Sequence, residues 1–318
     1  MIARKMMMAV GGGTEYAESM TLINSVPALT AGFIVIGNKV IFPSGKTFDI
    51  DENDGTLSLS TETVFNDDLT DPSDTDSDAI LVQNKNSVLR VYDGEGGFYV
   101  WNKSDLNTNT GSDHTPGLIK EVCITDDKIY VFHWKSSSSS YPELLVYSIS
   151  SSSTISLTNT IPASSAYLSK LKYQNGELWS TINGALYRVD VSGNTMSLSA
   201  LTGQTKVCSS YLFINENTLV AMDYNDYYLR TYTLSGTTLS SIASEFIATT
   251  FVSSLQLYKN LLFLSNASGD DVIAYSIDGT TLTEKSRIAV DYPMMLGFGG
   301  SIMITNPYHD SILVSIQI

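Results

Sequence analysis

The chain has 318 residues, with 18 Lys and Arg against 33 Asp and Glu, so its formal net charge is −15. This balance excludes functions that depend on contacts with nucleic-acid phosphates or with an anionic membrane surface, because both need an excess of cationic side chains. Charged residues make up 16% of the chain, below the roughly 25% of ordinary soluble domains. Ser, Thr and Asn supply the remaining polarity, which favours strands and turns. We therefore expect no nucleic-acid partner and no membrane insertion.

The first segment in chain order is a basic, Met-rich stretch. Arg4 and Lys5 precede an apolar run from Met6 to Val10, and three glycines follow. The apolar run is too short for the hydrophobic region of a secretory signal, and no clear cleavage pattern follows it. We interpret residues 1–16 as a flexible N-terminal arm that stays on the mature chain.

A repeating unit of about 43 residues occupies the rest of the chain. Each unit has an apolar run, a tight polar turn, a second apolar run, a variable loop, a strand with a central aromatic residue, a short turn and a Ser/Thr-rich strand. The second apolar runs start 48, 41, 49, 41, 43 and 40 positions apart, at Val40, Val88, Ile129, Leu178, Leu219, Leu262 and Ile302.

The third strands of the units share one position that is aromatic in all units but the last. Its occupants are Phe48, Trp101, Tyr147, Tyr187, Tyr232, Tyr275 and Ser315. Four short strands per unit at this period are typical of a β-propeller, whereas helical solenoids need heptad-like apolar spacing. The sequence therefore predicts an all-β fold, a seven-bladed β-propeller of four-stranded antiparallel blades.

The two ends of the repeat indicate how the ring closes. The seventh unit stops after its third strand, and the chain ends at Ile318. An unassigned apolar segment at about residues 20–27 precedes the first unit. We expect this N-terminal strand to close the last blade, because the ring would otherwise have an unpaired edge. Residues 17–318 are then one propeller domain.

Blade geometry sorts the connections onto two faces. The loops between second and third strands and the links between blades share one face, which we name the long-loop face; the other two turns of each blade share the opposite, short-turn face. The sequence places its insertions on the long-loop face, at 66–78, 104–117, 135–142, 223–228, 266–271 and 306–310. Long loops on one side of a rigid scaffold commonly bind partners.

Tyrosines beside carboxylates or amides mark several of these loops. Tyrosine gives a large contact area with a polar tip, and an aromatic ring beside Asp or Asn also suits sugars. The predicted binding residues are Tyr92, Asp93, His133, Trp134, Asp223, Tyr224, Asp226, Tyr227, Asn306, Tyr308 and His309.

Catalytic and metal motifs are weak in this sequence. The three histidines fall in units two, three and seven, no G-x-S-x-G motif occurs, and Cys123 and Cys208 lie in apolar runs that favour burial. The alternating carboxylates of Asp74, Asp76 and Asp78 suit calcium in principle, although a solvated acidic loop is the preferred interpretation. We expect no catalytic residue and no cofactor, and interpret the protein as not an enzyme.

Two resemblances refine the functional hypothesis. The repeat resembles β-propellers generally, without the signatures of Trp–Asp or kelch repeats. Residues 4–13, which contain Arg4, Lys5, Met6, Met7 and Met8, resemble the starts of bacteriophage structural and tail proteins. The second resemblance implies a virion protein with β-rich domains presented outward.

The leading hypothesis is a non-enzymatic phage virion or tail component, located in the virion. Its arm anchors it to other virion or tail proteins, and its long-loop face meets another virion protein or a host surface glycan. The alternatives are a cytoplasmic propeller that acts as an interaction scaffold, and a carbohydrate-active enzyme with paired carboxylates such as Asp223 and Asp226.

Overall fold

A computed structural model describes most of the chain from residue 20 onward. The described residues are 20–27, 32–65, 79–92, 97–113, 117–135, 142–163, 168–203, 208–223, 228–246, 252–266, 269–300, 302–307 and 312–318. Within these ranges the chain forms 28 strands and no α-helix, which confirms the all-β prediction. Accordingly, these residues contain no helix with the length and hydrophobicity needed to cross a membrane.

The strands form seven sheets, each of four antiparallel strands. Blade by blade, their bounds are: blade 1, β2 (Ile34–Ile36), β3 (Lys39–Ile41), β4 (Lys46–Ile50), β5 (Leu57–Thr63); blade 2, β6 (Ala79–Gln83), β7 (Ser87–Tyr92), β8 (Gly97–Asn102), β9 (Asp105–Asp113); blade 3, β10 (Gly117–Ile124), β11 (Lys128–Lys135), β12 (Glu143–Ile149), β13 (Ile155–Pro162); blade 4, β14 (Ser169–Gln174), β15 (Glu177–Ile182), β16 (Ala185–Asp190), β17 (Ser197–Ala200); blade 5, β18 (Cys208–Asn215), β19 (Thr218–Asp223), β20 (Tyr228–Ser235), β21 (Thr238–Phe246); blade 6, β22 (Val252–Tyr258), β23 (Leu261–Asn266), β24 (Asp271–Asp278), β25 (Thr281–Ala289); blade 7, β26 (Pro293–Gly299), β27 (Ile302–Pro307), β28 (Ile312–Gln317) and β1 (Thr21–Pro27).

Seven apolar clusters fill the seams between consecutive blades and arrange the blades in a ring. Alternate side chains of a strand point to opposite faces of its sheet, so each blade supplies apolar residues to two seams. In β3, Val40 packs against blade 7, whereas Ile41 packs against blade 2. The cluster between blades 7 and 1 closes the circle, and the predicted seven-bladed propeller is confirmed.

The strand β1 is the fourth strand of blade 7, hydrogen-bonded to β28 in an antiparallel register. Its Asn24 side chain bonds both backbone groups of Leu57 in blade 1, accepting from the amide at 3.1 Å and donating to the carbonyl at 3.3 Å. Asn24 Oδ1 also accepts from the Ser315 hydroxyl at 2.7 Å. The Met20 amide donates to Ser286 Oγ of blade 6 at 2.8 Å. The segment around β1 therefore ties three blades together.

Long polar side chains bridge several seams near the ring axis, where the first strands of neighbouring blades meet. Each donates to a backbone carbonyl of an adjacent first strand: Gln83 Nε2 to Val35 O at 3.3 Å, Lys172 Nζ to Tyr211 O at 2.7 Å, and Gln256 Nε2 to Leu296 O at 2.7 Å. These bonds satisfy edge carbonyls that no strand pairs.

The strand register differs from the sequence alignment in blade 4. Leu178 lies opposite Val189, whereas the alignment puts Tyr187 at this third-strand position. The two-residue turn at Asn183 and Gly184 places Ile182 opposite Ala185 and fixes the register. The third-strand position of this blade is therefore aliphatic.

The alignment is also wrong in blade 7, by one residue. The hairpin of blade 7 pairs Gly299 with Ile302, so Met303 and not Ile302 takes the position of Leu262 in blade 6. Met303 lies opposite Ile316, which replaces Ser315 as the third-strand residue. Both residues are fully buried.

The predicted insertion at 104–117 is mostly strand. Residues 105–113 form β9, the outer strand of blade 2, and leave only 114–116 as the link to blade 3. Polar Asn and Thr residues fill β9 because it is exposed on the outside of the ring, and this composition resembles a loop.

Candidate binding face

The strand directions place the second-to-third-strand loops and the inter-blade links on one face of the ring, as the blade geometry requires. Short-turn-face hairpins are tight, with two-residue turns such as Gly37-Asn38 and Asn175-Gly176. On the long-loop face, longer segments separate the strands, with β5 ending at Thr63 and β6 starting at Ala79. The connections on the long-loop face are therefore longer on the whole, up to the 15 residues between Thr63 and Ala79, although blade 4 has a two-residue turn there.

The predicted binding residues within the described part lie at the ends of second strands in blades 2, 3, 5 and 7. Tyr92 ends β7, His133 and Trp134 lie near the end of β11, Asp223 ends β19, and Asn306 lies near the end of β27. For Asp223 and Asn306 only the backbone placement is described. These five positions share the long-loop face but come from different blades.

The other predicted positions lie outside the described residues. They are Asp93, Tyr224, Asp226, Tyr227, Tyr308 and His309 on the loops, Arg4, Lys5, Met6, Met7 and Met8 in the arm, and the calcium candidates Asp74, Asp76 and Asp78.

A buried arginine supports Tyr92 from below. Arg90 is only 2% exposed, and its guanidinium carbon lies 4.6 Å from the centroid of the Tyr92 ring. Tyr92 also meets Tyr99 edge to face at 5.7 Å, and Tyr99 contacts Trp101 at 5.9 Å. A cation over a tyrosine face is attracted by the ring quadrupole. Tyr92 is thus held in an aromatic stack at the end of the seam between blades 1 and 2.

The neighbouring candidates His133 and Trp134 have different roles. His133 is 1% exposed, and its Nε2 lies 3.6 Å from Glu143 Oε2 on the opposing strand β12. Trp134, the next residue, points to the other face of the sheet and is 38% exposed. His133 therefore belongs to the interior of the blade, whereas Trp134 is partly exposed to solvent.

In blade 6 a polar cluster lies at the end of the second strand, the same place in the blade as Tyr92 in blade 2 and His133 in blade 3. Asn266 is buried opposite Asp271, and its Oδ1 accepts from the Gly269 amide at 3.0 Å. Arg287 forms ion pairs with Asp271 and with Glu284. Hydrogen bonds to Glu284 and Asp271 raise the pKa of Arg287. These hydrogen bonds and ion pairs stabilise the end of β23 and the start of β24, where the two strands meet at the long-loop face.

Sequence reasoning missed Arg90 and Arg287 as supports of this face. Arg90 lies inside the apolar run from Val88 to Val91, so the sequence alone indicates a buried cation at this position. A buried charge needs nearby groups that compensate it. The pairing of Arg287 with Asp271 becomes visible only with the register between β24 and β25.

Metal-binding clusters are absent from the described part of the chain. No group of three or more His, Cys, Asp or Glu residues there converges in a way that would hold a metal ion. Cys123 is a buried free thiol, and burial raises its pKa to about 11. This thiol is therefore a protonated part of the packing.

No protein-family model and no curated protein sequence matches this chain. Solved structures do match it. A chain of the mitotic checkpoint complex has a TM-score of 0.65 at 12% identity, with 99% of this chain and 99% of that chain covered. The β-propeller domain of Cps50 (Swd1) from Myceliophteria thermophila has a TM-score of 0.63 at 8% identity, with 94% and 99% covered.

An enzyme is also among the similar structures. Virginiamycin B lyase from Staphylococcus aureus has a TM-score of 0.61 at 11% identity, with 94% of this chain and 99% of that chain covered. At such identities the likeness shows the propeller fold alone. The fold is therefore shared by proteins in complexes and by an enzyme.

Proposed function

We propose that this chain is a non-enzymatic scaffold that binds a protein partner through its long-loop face. The observation that carries the proposal is the difference in length between the connections on the two faces, which reach 15 residues on the long-loop face and six on the short-turn face. Exposed Trp134 and the supported Tyr92 lie at the base of those connections. Similar propellers belong to protein assemblies, as the mitotic checkpoint complex illustrates.

Site-specific photo-crosslinking tests this proposal. A benzoylphenylalanine at position 134 probes the long-loop face, and the same residue at exposed Glu52, in the turn between β4 and β5, probes the short-turn face. In cells of the natural source, position 134 should crosslink a discrete polypeptide that position 52 does not. Equal crosslinking from both positions, or crosslinking from position 52 alone, would contradict the proposal.

A narrower role, as a phage virion or tail component, has its support in the sequence of residues 4–13. In this role residues 1–16 anchor the chain to a neighbouring virion protein, since a Met-rich segment adapts to apolar grooves. Deleting residues 1–16 should leave a folded ring that no longer enters particles. Normal incorporation of the shortened chain would refute the anchoring role.

The glycan and enzyme alternatives have direct assays. A host glycan as the ligand of the long-loop face predicts saturable binding on a glycan array, lost on Trp134→Ala. A carbohydrate-active enzyme predicts new reducing ends from a bound glycan. Binding without new reducing ends favours a glycan-binding role, and no binding to any glycan favours the protein partner.

A further inference from the structure

A small apolar crevice lies in the seam between blades 2 and 3. It has a volume of about 100 Å³. Five aliphatic side chains form its walls, Ile80, Val82 and Val91 from blade 2 and Ile119 and Val122 from blade 3. Lys120 and Glu121 complete its lining.

The crevice lies in the half of the seam nearest the long-loop face. Ile80, the second residue of β6, is paired with Val91 near the end of β7. Ile119 is paired with His133 near the end of β11. Ile80 is 55% exposed, so the crevice opens to solvent. A partner on the long-loop face would cover this opening.

The side-chain composition of β6 accounts for an apolar crevice in one part of this seam. Other seams near the axis are bridged by long polar side chains such as Lys172 and Gln256. On β6 the long side chain Gln83 bonds blade 1 instead. The residues of β6 that face blade 3 are Ile80 and Val82, whose aliphatic side chains form no hydrogen bonds, and the hydrogen bond that crosses this seam, from Asn84 Nδ2 to Thr125 O at 2.6 Å, lies at its short-turn end.

Lys120 supplies the charge at the crevice. The Glu121 carboxylate is turned to blade 4, where it accepts from the Lys170 amide at 2.9 Å and the Leu171 amide at 3.4 Å. Lys120 is half-buried at a register shift of β10 and forms no ion pair with any residue of the described ranges. An apolar crevice therefore has one cation available to a ligand.

We propose that this crevice holds a branched aliphatic side chain of the protein partner, with a carboxylate of the partner beside it on Lys120. The inference rests on the proposed partner binding at the long-loop face. An apolar cavity of about 150 Å³ holds a benzene ring, so the smaller crevice selects a leucine-sized group over an aromatic one. The carboxylate of the partner would pair with the Lys120 ammonium, which lines the crevice.

N-acetyl-leucine is the probe, because it combines the isobutyl group with a carboxylate. Protein-observed NMR titration with the full chain should give saturable shifts at the amides of β6 and β10 at millimolar ligand. N-acetyl-leucinamide, which lacks the charge, should bind about fivefold more weakly. N-acetylglycine should not saturate. Absence of saturable shifts with N-acetyl-leucine would overturn the proposal.

Three variants separate the crevice from general effects. Ile80→Phe at the rim and Val82→Phe in the wall should abolish binding of N-acetyl-leucine, and Lys120→Met should make the acid and the amide bind equally. Leu257→Phe is the matched control, because Leu257 is an exposed apolar residue on the first strand of blade 6. It should bind as the unmodified chain does. If Val82→Phe does not fold, Ile80→Phe alone decides, because its side chain is already largely exposed.

The crosslink from position 134 distinguishes failure of this proposal from failure of the proposed function. If the crosslinked partner survives Ile80→Phe undiminished, the crevice proposal is wrong and partner binding stands. If position 134 yields no crosslink at all, the proposed function is wrong. Loss of the crosslink on Ile80→Phe, with retention on Leu257→Phe, supports both.

Discussion

At the scale of single residues, Glu121 shows how blades are joined near the axis. Its carboxylate accepts from two consecutive amides of blade 4. The first of these, Lys170, has a positive φ of 55°, and its carbonyl accepts from the Tyr211 hydroxyl of blade 5 at 2.7 Å. Consecutive amides in such a conformation form an anion-binding concavity. Blade 3 supplies the anion and blade 5 supplies the hydroxyl that bonds the Lys170 carbonyl, so the hydrogen bonds of Lys170 connect three blades.

Glu121 gives the ring a defined pH dependence. Burial raises its pKa, although the Lys170 and Leu171 amides partly offset the shift. The folded chain thus holds this proton more tightly than the unfolded chain, and the stabilisation is complete below about pH 4.3 and lost as pH rises through the raised pKa. For Glu121→Gln, the free energy of unfolding relative to the unmodified chain should fall as pH is lowered from 7 to 4. Urea unfolding of both chains at several pH values measures this difference in the free energy of unfolding. A difference that stays constant or rises as pH is lowered would contradict the raised pKa of Glu121.

Gly297 permits the close approach of blades 7 and 1. A Cβ at this position would lie 2.7 Å from side-chain atoms of both Phe33 and Val35. Gly297→Ala should therefore destabilise the fold by about 1–3 kcal/mol through overpacking. At Gly193 a Cβ meets nothing nearer than 4.0 Å, which makes Gly193→Ala the control with a change near zero. Equal unfolding midpoints for the two variants in urea would show that the seam tolerates the added methyl group.

At the scale of strands, the sequence repeat predicts the blade architecture well and its details less well. The third-strand aromatic gives the correct register where it is buried, as for Trp101 opposite Val88 and Tyr147 opposite Ile129. It fails in blade 4, where the tight turn at Asn183-Gly184 puts Val189 opposite Leu178, and blade 7 has no aromatic residue at this position, which Ile316 occupies opposite Met303.

The candidate site was predictable only in outline. Loop lengths indicate the long-loop face, since rigid hairpins and long connections differ in sequence. Arg90 and Tyr92 lie two positions apart on β7 and therefore share one face of the sheet. The pairing of His133 with Glu143, in contrast, depends on which residues lie opposite one another. Such pairings follow from the strand register, which composition and spacing do not determine.

Asn24 is the residue of β1 whose side chain forms hydrogen bonds to blade 1 and to β28 of blade 7. Asn24→Ala removes hydrogen bonds to Leu57 and Ser315 and should lower the free energy of unfolding by about 1–3 kcal/mol, because partly buried groups lose their partners. Ser25→Ala, at an exposed position on the same strand, is the control and should change little. Denaturant unfolding of both variants measures the difference, and similar values would exclude a role of Asn24 in closure.

At the scale of the whole molecule, the ring has two faces, and β1 begins on the short-turn face. Thr21, at the start of β1, pairs with Gln317, the last residue of β28, at the short-turn face. Thr21 therefore lies on the face opposite the long-loop face. This position is the one that the proposed anchoring by residues 1–16 and partner binding on the long-loop face require.

Two truncations test the contribution of β1 to the whole ring. Removal of residues 1–16 should leave the thermal unfolding midpoint unchanged, because β1 and its bonds remain. Removal of residues 1–27 deletes β1 and exposes the edge of β28, so the midpoint should fall and the chain should self-associate. Circular dichroism and size-exclusion chromatography measure both effects. An unchanged midpoint after the longer truncation would mean that β1 contributes nothing to closure.

Electron microscopy of the native assembly that contains this chain tests the central claim most directly. The account predicts partner density on the long-loop face, in contact with Trp134 and over the seam between blades 2 and 3, with the N-terminal arm leaving from the opposite face. Density that contacts only the short-turn face, or only the outer strands of the ring, would contradict it.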